Sequence, residues 1–425
     1  MKYRILIPAL WLVYAVAEAQ KGEIPDWLKG YNFDPPRECS SDPAGPLNPR
    51  EAEVTCPLLV DDETAFVKRS WHPWTYPPAC VEAEEATDPK LCVFTYTKLR
   101  GEFGISIITT PEAAAAGVGI LDDPDEKWEE WARGRHPLVV SDPPLYEVRD
   151  LREKGMGVVA NRTIRKDEVV MLRYPVMVKI MDSRRWKQQD VLKLLHRGAM
   201  QLPPKEARQM MKLAHSKGGY IVDDIINTNA FGVLVGNVDH SGLYLDVSRL
   251  NHACKPNMFS RFSSTTLGME VVAYREIEAG EELTFSYLPL NLQSEQRQSL
   301  IREWGFNCSC SLCTSPAETA ISDRRRGRIQ DLLAELDRPE VRNHAGVKER
   351  VDEILDLCNK EGLAAQLGDF YAIVAELYSN MGYLDLAKKY GELAVKELMH
   401  YAGYDHERTR SATLFLENLH RKVYV

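Results

Sequence analysis

The sequence has no excess of positive charge and, after its first twenty residues, no hydrophobic run long enough to span a bilayer. Its 53 Lys and Arg residues are outnumbered by 62 Asp and Glu residues, which gives a formal charge of −9. A general nucleic-acid binder needs a concentrated basic excess to neutralise phosphates, so this class is disfavoured. A membrane-spanning helix needs about 20 apolar residues, so we expect no transmembrane segment.

The remaining composition is that of a globular protein. Hydrophobic residues make up 44% of the chain and charged residues 27%, which are ordinary values for soluble domains. A chain of 425 residues is too long for one hydrophobic core, so roughly two or three domains are expected. The modest negative charge suits a basic partner or substrate.

The first nineteen residues have the three-part pattern of a secretory signal peptide. Lys2 and Arg4 precede an apolar run from Ile5 to Ala17, and Ala17-Glu18-Ala19 supplies small residues at a cleavage site. The alternative is a buried or disordered N-terminal helix. The signal-peptide interpretation predicts the secretory pathway or an extracellular location.

The nine cysteines fall into separate groups, and none occurs between Cys92 and Cys254. The four N-terminal cysteines form either two disulfides, with three possible connectivities, or a reduced buried set. A second group lies near residue 310, and one cysteine stands alone in a helical pattern. In chain order they are Cys39, Cys56, Cys80, Cys92, Cys254, Cys308, Cys310, Cys313 and Cys358.

The middle of the chain is predicted to be a β-rich domain. Residues 20–140 contain two short strand patterns, at 92–96 and 104–109, and a helix pattern after Thr110-Pro111. We expect a small disulfide-stapled or extended layer there, packed on the core, and the sequence assigns no chemical role to it. From Tyr146 onward, short strands separated by turns, including one at 155–157, indicate a compact β-fold. Residues 184–215 have helical spacing and are predicted to be an insertion.

The chain beyond Cys313 has helical periodicity to its end. Residues 370–380 and 384–398 are predicted to form two helices joined by a turn at 381–383. This pair resembles one tetratricopeptide-type unit, and the alternative is an unrelated helical hairpin. A single repeat cannot bury its own apolar face, so these helices are expected to pack on neighbouring helices or on the core.

Four sequence motifs carry the chemical signal. They are Lys154-Gly155-Met156-Gly157, Asn251-His252-Ala253-Cys254-Lys255-Pro256-Asn257, Gly280-Glu281-Glu282-Leu283-Thr284-Phe285-Ser286-Tyr287 and Gly305-Phe306-Asn307-Cys308-Ser309-Cys310-Ser311-Leu312-Cys313. A Gly-x-Gly motif alone is a common turn, but the other three in this order are highly specific. Together they resemble the SET-domain methyltransferases, and among them the group related to the SET-and-MYND proteins.

The resemblance implies an α+β fold. Its parts are a SET β-fold of small twisted sheets with a knotted C-terminal segment, a post-SET zinc segment and an all-α, TPR-like C-terminal region. The implied boundaries are 1–19 for the signal peptide, 20–140 for the N-terminal region, 141–290 for the SET domain, 291–316 for the post-SET segment and 317–425 for the helical domain. The MYND zinc module is rich in cysteine, so the gap between Cys92 and Cys254 indicates that it is absent.

The resemblance also implies a function, an S-adenosyl-L-methionine-dependent protein-lysine N-methyltransferase with histone tails as the default substrate class. Tyr287, Tyr244 and Phe285 are the expected catalytic residues. Two glycines allow the backbone to approach a ligand without Cβ obstruction. The implied cofactor-binding residues are Lys154, Gly155, Met156, Gly157, Asn229, Asn251, His252, Tyr287 and Phe306. Structural alternatives are a turn residue at Asn229 and a buried turn at the Asn251-His252 pair.

Three closely spaced cysteines predict a metal site. Cys308, Cys310 and Cys313 are too close in sequence to be bonded to one another without strain, and thiolates at this spacing suit tetrahedral Zn²⁺. In SET proteins with this pattern, the cysteine of the Asn-His-x-Cys motif is the fourth ligand, which is Cys254 here. Such a closed site would be structural. The alternative is a reduced cluster without metal.

Other interpretations remain open at this point. SET enzymes usually act on nuclear or cytosolic proteins, which conflicts with the predicted signal peptide. One alternative is a catalytically inactive SET scaffold, and another is a secreted SET-like protein that acts on non-histone targets. The expected partners are a protein with an exposed lysine and a peptide or protein bound at the C-terminal helices, with no direct contact to nucleic acid.

Overall fold

A computed structural model describes residues 73–100, 103–121, 144–336, 338, 341 and 343–423. The predicted signal peptide, Cys39 and Cys56 lie outside these residues. The described residues divide into two compact units, one drawn from the ranges up to 121 and from 174–248, the other from 144–173 and from 249 onward. Within the described ranges, no helix is long and apolar enough to cross a membrane.

The strands of the described residues are β1 (Ala79–Val81), β2 (Leu91–Leu99), β3 (Phe103–Thr109), β4 (Tyr146–Asp150), β5 (Met156–Ala160), β6 (Val169–Arg173), β7 (Met177–Ile180), β8 (Phe231–Val235), β9 (Val238–Leu243), β10 (Asn251–His252), β11 (Met258–Phe262), β12 (Met269–Ala273) and β13 (Glu282–Phe285). The α-helices are α1 (Pro111–Ala116), α2 (Gln188–Gln201), α3 (Pro204–Met210), α4 (Ile221–Asn229), α5 (Ser294–Ile301), α6 (Ser311–Thr314), α7 (Pro316–Leu336), α8 (His344–Glu361), α9 (Leu367–Asn380), α10 (Leu384–Tyr401) and α11 (Glu407–Val423).

The first unit contains a six-stranded sheet in the order β1-β2-β3-β7-β9-β8. Both strands expected at 92–96 and 104–109 are confirmed, and Thr110 caps α1 through its side chain. A disulfide joins Cys80 to Cys92 across β1 and β2. The parallel pairing of β3 with β7 places N-terminal strands and strands from the predicted SET segment in one sheet, which the sequence did not indicate.

The helical spacing of residues 184–215 is confirmed by α2 and α3, whereas their status as an insertion stays a prediction. Helix α4 was not predicted. The apolar side chains of α2 pack on the sheet because they recur at helical spacing on one face. At Gly198 the two elements approach closely, and a Cβ there would lie 3.3 Å from Ser106 Cβ. The Ser106 hydroxyl donates to the Gly198 carbonyl at 2.8 Å.

The second unit contains two smaller sheets, β10-β13-β5-β4 and β11-β12-β6. The expected turn at 155–157 is shorter in the structure. Gly155 adopts φ +69°, whereas Met156 and Gly157 already belong to β5 and pair with Asp150 and Arg149 of β4. The positive φ explains why the turn needs a glycine at its end.

The helical periodicity after Cys313 is confirmed by α7 to α11. Helices α9 and α10 correspond to the two predicted helices and are joined through Gly382 at φ +81°. Their apolar faces, together with those of α7 and α8, form one buried cluster. The tetratricopeptide character of this pair stays a prediction.

The C-terminal helices are bonded to the β11–β12 hairpin of the same unit. Arg261 and Glu270 face each other across the two strands, are both buried, and form an ion pair of 2.6 Å. Arg261 also donates to the carbonyl of His400 at 2.9 Å. The Asp405 carboxylate accepts from the hydroxyls of Ser263 and Thr265. The helices therefore complete the polar pairing of the hairpin.

Replacing Glu270 with Ala should lower the free energy of unfolding by about 3–5 kcal/mol, because the buried Arg261 cation loses its partner. Urea-induced unfolding followed by circular dichroism measures this change. Lys348→Ala is the control, since it removes only an exposed pair with Asp352 and should cost less than about 1 kcal/mol. If Glu270→Ala lowers the free energy of unfolding no more than the control does, the role of the Arg261–Glu270 ion pair is contradicted.

Candidate active site and metal centre

Strand pairing brings three of the four motifs together. The parallel strands β10 and β13 pair Asn251 with Thr284 and His252 with Phe285. On its other side β13 pairs with β5 of the Gly-x-Gly motif, Leu283 with Val158. Segments separated by more than a hundred residues are thus neighbours in one sheet.

A carboxylate links the Gly-x-Gly turn to the Asn-His motif. Glu282 accepts from the Lys154 ammonium at 2.6 Å and from the Asn251 amide at 3.0 Å. Gly157 lies directly beside this contact, and a Cβ there would come within 2.8 Å of Asn251 Nδ2 and 2.3 Å of Leu151 Cδ1. The second glycine is therefore required by the close approach of Asn251 and Leu151.

Asn257 has a positioning role that the sequence reasoning missed. Its buried side chain donates to the Glu282 carbonyl at 2.8 Å and accepts from the Thr284 amide at 2.7 Å. The residue was visible as the last member of Asn-His-x-Cys-x-Pro-Asn, but its partner strand was not. It satisfies backbone groups of β13 and so holds this strand against the Asn-His segment.

His252 is held in its neutral form. The side chain is only 8% exposed, and burial lowers its pKa to about 4. Its Nδ1 accepts from the Tyr287 amide at 3.1 Å. The proton therefore resides on Nε2, which lies 3.4 Å from the Cys254 sulfur. This imidazole bridges the segment that ends in Tyr287 and the cysteine cluster.

Tyr287 lies in an aromatic cluster with its hydroxyl fixed. Its ring centroid is 5.3 Å from that of Phe285, 5.7 Å from Trp304 and 6.4 Å from Phe306, which is 40% exposed. The hydroxyl donates to the Leu250 carbonyl at 2.9 Å. Burial, and secondly the Glu282 carboxylate, raise its pKa. The sequence reasoning missed Trp304, whose only signal is its position two residues before Phe306.

The four predicted metal ligands come together. The sulfurs of Cys254, Cys308, Cys310 and Cys313 all lie within 4.8 Å of one another. Cys254 Sγ is 3.8 Å from Cys308 Sγ and 3.5 Å from Cys313 Sγ. A tetrahedron with metal–sulfur bonds of about 2.3 Å has edges of about 3.8 Å, so the cluster fits a metal ion.

Neighbouring side chains hold the backbone of this cluster, and the thiols shift the pKa values of one another. The Gln298 side chain both donates to the Cys308 carbonyl and accepts from its amide. Hydrogen bonds from Cys254 and the other thiols lower the pKa of Cys310, whereas the hydrogen bond with Cys308 is the main cause that raises the pKa of Cys254. Cys358 is buried in α8 and is not a member of the cluster.

Two predicted site residues belong to the other unit. Tyr244 is fully buried, with its ring edge-on to Phe231 at 5.8 Å, and burial raises its pKa. Asn229 lies at the end of α4 and donates to the carbonyls of Ala214 and Ile225 at 2.6 and 2.7 Å. These contacts support the alternative of a structural turn residue, and the functional roles of both side chains stay predictions.

Comparisons with known proteins agree with these motifs. A SET domain model matches residues 155–288. The chain is 24% identical over 285 residues to histone-lysine N-methyltransferase set5 of Schizosaccharomyces pombe, covering 64% of this chain and 84% of that protein. It is 42% identical over 80 residues to histone-lysine N-methyltransferase SMYD3 of Mus musculus, covering 19% of this chain and 18% of the relative.

A third relative is N-lysine methyltransferase SMYD2 of Gallus gallus, which is 36% identical over 92 residues, 21% of either chain. The matches to SMYD2 and SMYD3 thus span about a fifth of those proteins, whereas the match to set5 extends over most of its length. From the motifs, their convergence in one sheet and these relatives, residues 155–288 form a SET domain, and the chain is similar to proteins named lysine methyltransferases, among them members of the SET-and-MYND group.

Proposed function

We propose that the protein transfers a methyl group from S-adenosyl-L-methionine to a lysine side chain, with Tyr287 at the reacting centre. The observation that carries this proposal is the convergence of the Gly-x-Gly, Asn-His and Tyr287 segments on one sheet. When bound, the cofactor supplies the electrophilic methyl group. The Lys154 ammonium is half-exposed and could pair with the carboxylate of the cofactor. The exposed ring of Phe306 could stack on the adenine of the cofactor.

Further cofactor contacts are assigned by their place in this arrangement. Gly155, Met156 and Gly157 present backbone at the start of β5, where Gly157 leaves no room for a side chain. Asn251 and His252 lie across the sheet from this turn. We assign these residues and Asn229 to cofactor binding, with Asn229 resting on the resemblance alone.

The Tyr287 hydroxyl is arranged to orient a substrate amine. Its proton is directed to the Leu250 carbonyl, so its oxygen lone pairs remain for an N–H donor or a polarised methyl group. In the transfer, the amine lone pair forms the new N–C bond while the S–C electrons return to sulfur. The lysine must first lose its proton to solvent, which burial in an apolar channel favours. Tyr287 contributes alignment, since no proton transfer to it is needed.

Replacing Tyr287 with Phe should reduce methyl transfer by about 100-fold or more, because the oxygen that orients the amine is lost. The measurement is transfer of labelled methyl groups to a panel of basic proteins. The matched control is Tyr274→Phe, another partly buried tyrosine with a raised pKa that packs against Phe259 and Tyr401. Undiminished transfer by Tyr287→Phe would refute the mechanism.

Phe285 is proposed to set the number of methyl groups. Its ring contacts that of Tyr287, and it carries no hydroxyl that could hold a water and narrow the channel. We therefore expect di- or trimethylation by the native chain and a shift toward monomethylation in Phe285→Tyr. Mass spectrometry of the modified peptide measures this. Monomethylation alone by both proteins would exclude this role.

We assign Zn²⁺ to the cluster of Cys254, Cys308, Cys310 and Cys313. Four sulfur donors at tetrahedral separations and the burial of two of them suit a closed structural site. The ion would tie the post-SET segment, including Phe306, to the Asn-His motif. Its role is therefore to hold the site together and not to activate a water.

Replacing Cys310 with Ser should abolish stoichiometric zinc binding and lower the melting temperature, because a structural zinc site contributes folding energy. Elemental analysis of the purified protein gives the zinc content. Cys358→Ser is the control, since it removes a free buried cysteine outside the cluster. Equal zinc content in both variants would refute the assignment of zinc to this cluster.

Histone tails are the proposed substrate class. Two of the relatives described above are named histone-lysine methyltransferases, and the formal charge of −9 favours a basic partner. On this assignment the protein works in the nucleus or cytoplasm, and a TPR-like helical region offers a surface for a peptide partner. A methyl-transfer assay with native histones, and with histones whose lysines are blocked, tests the substrate class.

A second candidate is a secreted SET-like methyltransferase with non-histone targets. The disulfide between Cys80 and Cys92 favours it, because disulfides persist mainly in oxidising compartments. The signal-like pattern of residues 1–19 points the same way. An inactive scaffold is the least favoured candidate, because the Asn-His pair and Tyr287 are both retained.

A further inference from the structure

Two buried arginines lie beside the cysteine cluster. Among the fully buried side chains, the largest are Arg261, Arg297 and Arg326. Arg261 is matched by Glu270 across the hairpin. The other two are found where the post-SET segment meets α7. A buried cation without a negatively charged partner costs free energy, so we expect negative charge close to both guanidinium groups.

Arg326 connects the C-terminal helices to the backbone of a metal ligand. Its guanidinium, which is completely buried, donates from Nη2 to the Cys254 carbonyl at 3.3 Å and from Nη1 to the Leu290 carbonyl at 2.6 Å. Its Nε donates to Glu361 of α8 at 3.1 Å. The carbonyl of Cys254 is thus held by a side chain of α7, which itself is oriented by α8.

Arg297 approaches the same place from α5. Its side chain is 2% exposed, and its Nη1 donates to the Leu292 carbonyl at 2.5 Å. Arg326 Nη1 donates to that same carbonyl at 3.3 Å. Two like charges therefore converge on one oxygen. Leu292 packs in one apolar cluster with Cys254 and Cys308.

The charges around Arg297 are not balanced by the side chains. Its ion-pair partner is Asp323, which is 3.8 Å away and partly exposed, and among the described residues its Nε and Nη2 have no hydrogen-bond partner. Glu361 is shared by Arg326 and the more exposed Arg325. Of the carboxylates in these contacts only Glu361 is buried, and it pairs with Arg326 and not with Arg297.

A centre of one Zn²⁺ and four thiolates would carry a net charge of −2, so a buried cation close to it would be attracted to it. We propose that Arg297 and Arg326 are positioning residues of the metal centre. Arg326 holds the Cys254 carbonyl in place. Arg297 shares the Leu292 carbonyl with Arg326 and adds its positive charge beside the apolar cluster that contains Cys254 and Cys308. This inference rests on the proposed zinc site.

The test compares zinc release and stability in matched variants. Arg297→Gln keeps a donor for the Leu292 carbonyl and removes the charge, whereas Arg297→Lys keeps the charge. Arg328→Gln is the control on α7, since its exposed guanidinium pairs with Glu335 and Glu353. Zinc-loaded full-length protein is mixed with a chromogenic chelator, and melting temperatures are recorded with and without zinc.

We expect Arg297→Gln to release zinc about 10- to 100-fold faster than the native protein, the usual effect of losing an outer partner of a metal site. Arg297→Lys should release it within a few-fold of the native rate, and Arg328→Gln at the native rate. Arg326→Gln, which loses the bond to Cys254, should also accelerate release. The loss of melting temperature in the Arg297→Gln variant should be larger with zinc than without it.

Release at the native rate by Arg297→Gln would overturn the inference, as would equal acceleration by Arg297→Gln and Arg297→Lys. Equal losses of melting temperature with and without zinc would show a purely structural role and overturn it too. A native protein that holds zinc but transfers no methyl group would refute the proposed enzymatic function alone. A native protein that binds no zinc would refute the zinc assignment and this inference together.

Discussion

The parallel pairing of β10 with β13 is the constraint on which the rest of the site depends. Both strands are short, so a few backbone hydrogen bonds alone would hold them weakly. Asn257 reinforces the pair because its buried amide satisfies the Glu282 carbonyl and the Thr284 amide. With β13 fixed, Phe285 is held at its end opposite His252. Tyr287 follows two residues later, and its amide lies within hydrogen-bond distance of His252.

Burial sets the protonation states around this pair. His252 and Tyr287 are both desolvated, which lowers the pKa of the imidazole and raises that of the phenol. Both side chains are therefore neutral near pH 7, and their hydrogen bonds are to the Tyr287 amide and the Leu250 carbonyl. A neutral, oriented hydroxyl is what an alignment role in methyl transfer requires. The charged pair of Lys154 and Glu282 lies beside these neutral groups, with the Lys154 side chain half-exposed.

The C-terminal helices belong to the same compact unit as the candidate active site. Polar contacts at two places join them, Arg261 and Asp405 at the β11–β12 hairpin and Arg326 behind Cys254. Removing one partner of a buried charged contact of this kind strongly destabilises the fold. A helical region joined in this way stabilises the SET segment.

The sequence by itself determined the motif identities, some of the strands, most of the helices, and the grouping of Cys308, Cys310 and Cys313, because these depend on local spacing and residue type. The fourth member, Cys254, followed from the resemblance to SET proteins. Only the tertiary structure decided that β3 pairs with β7, that Asn257 holds β13, and that Trp304, Arg297 and Arg326 surround the site. Those contacts join residues far apart in the chain, and no local pattern encodes which distant partner a strand or a buried cation will find. The start of β5 at Met156 was missed for the same reason, since its partner Asp150 supplies the pairing.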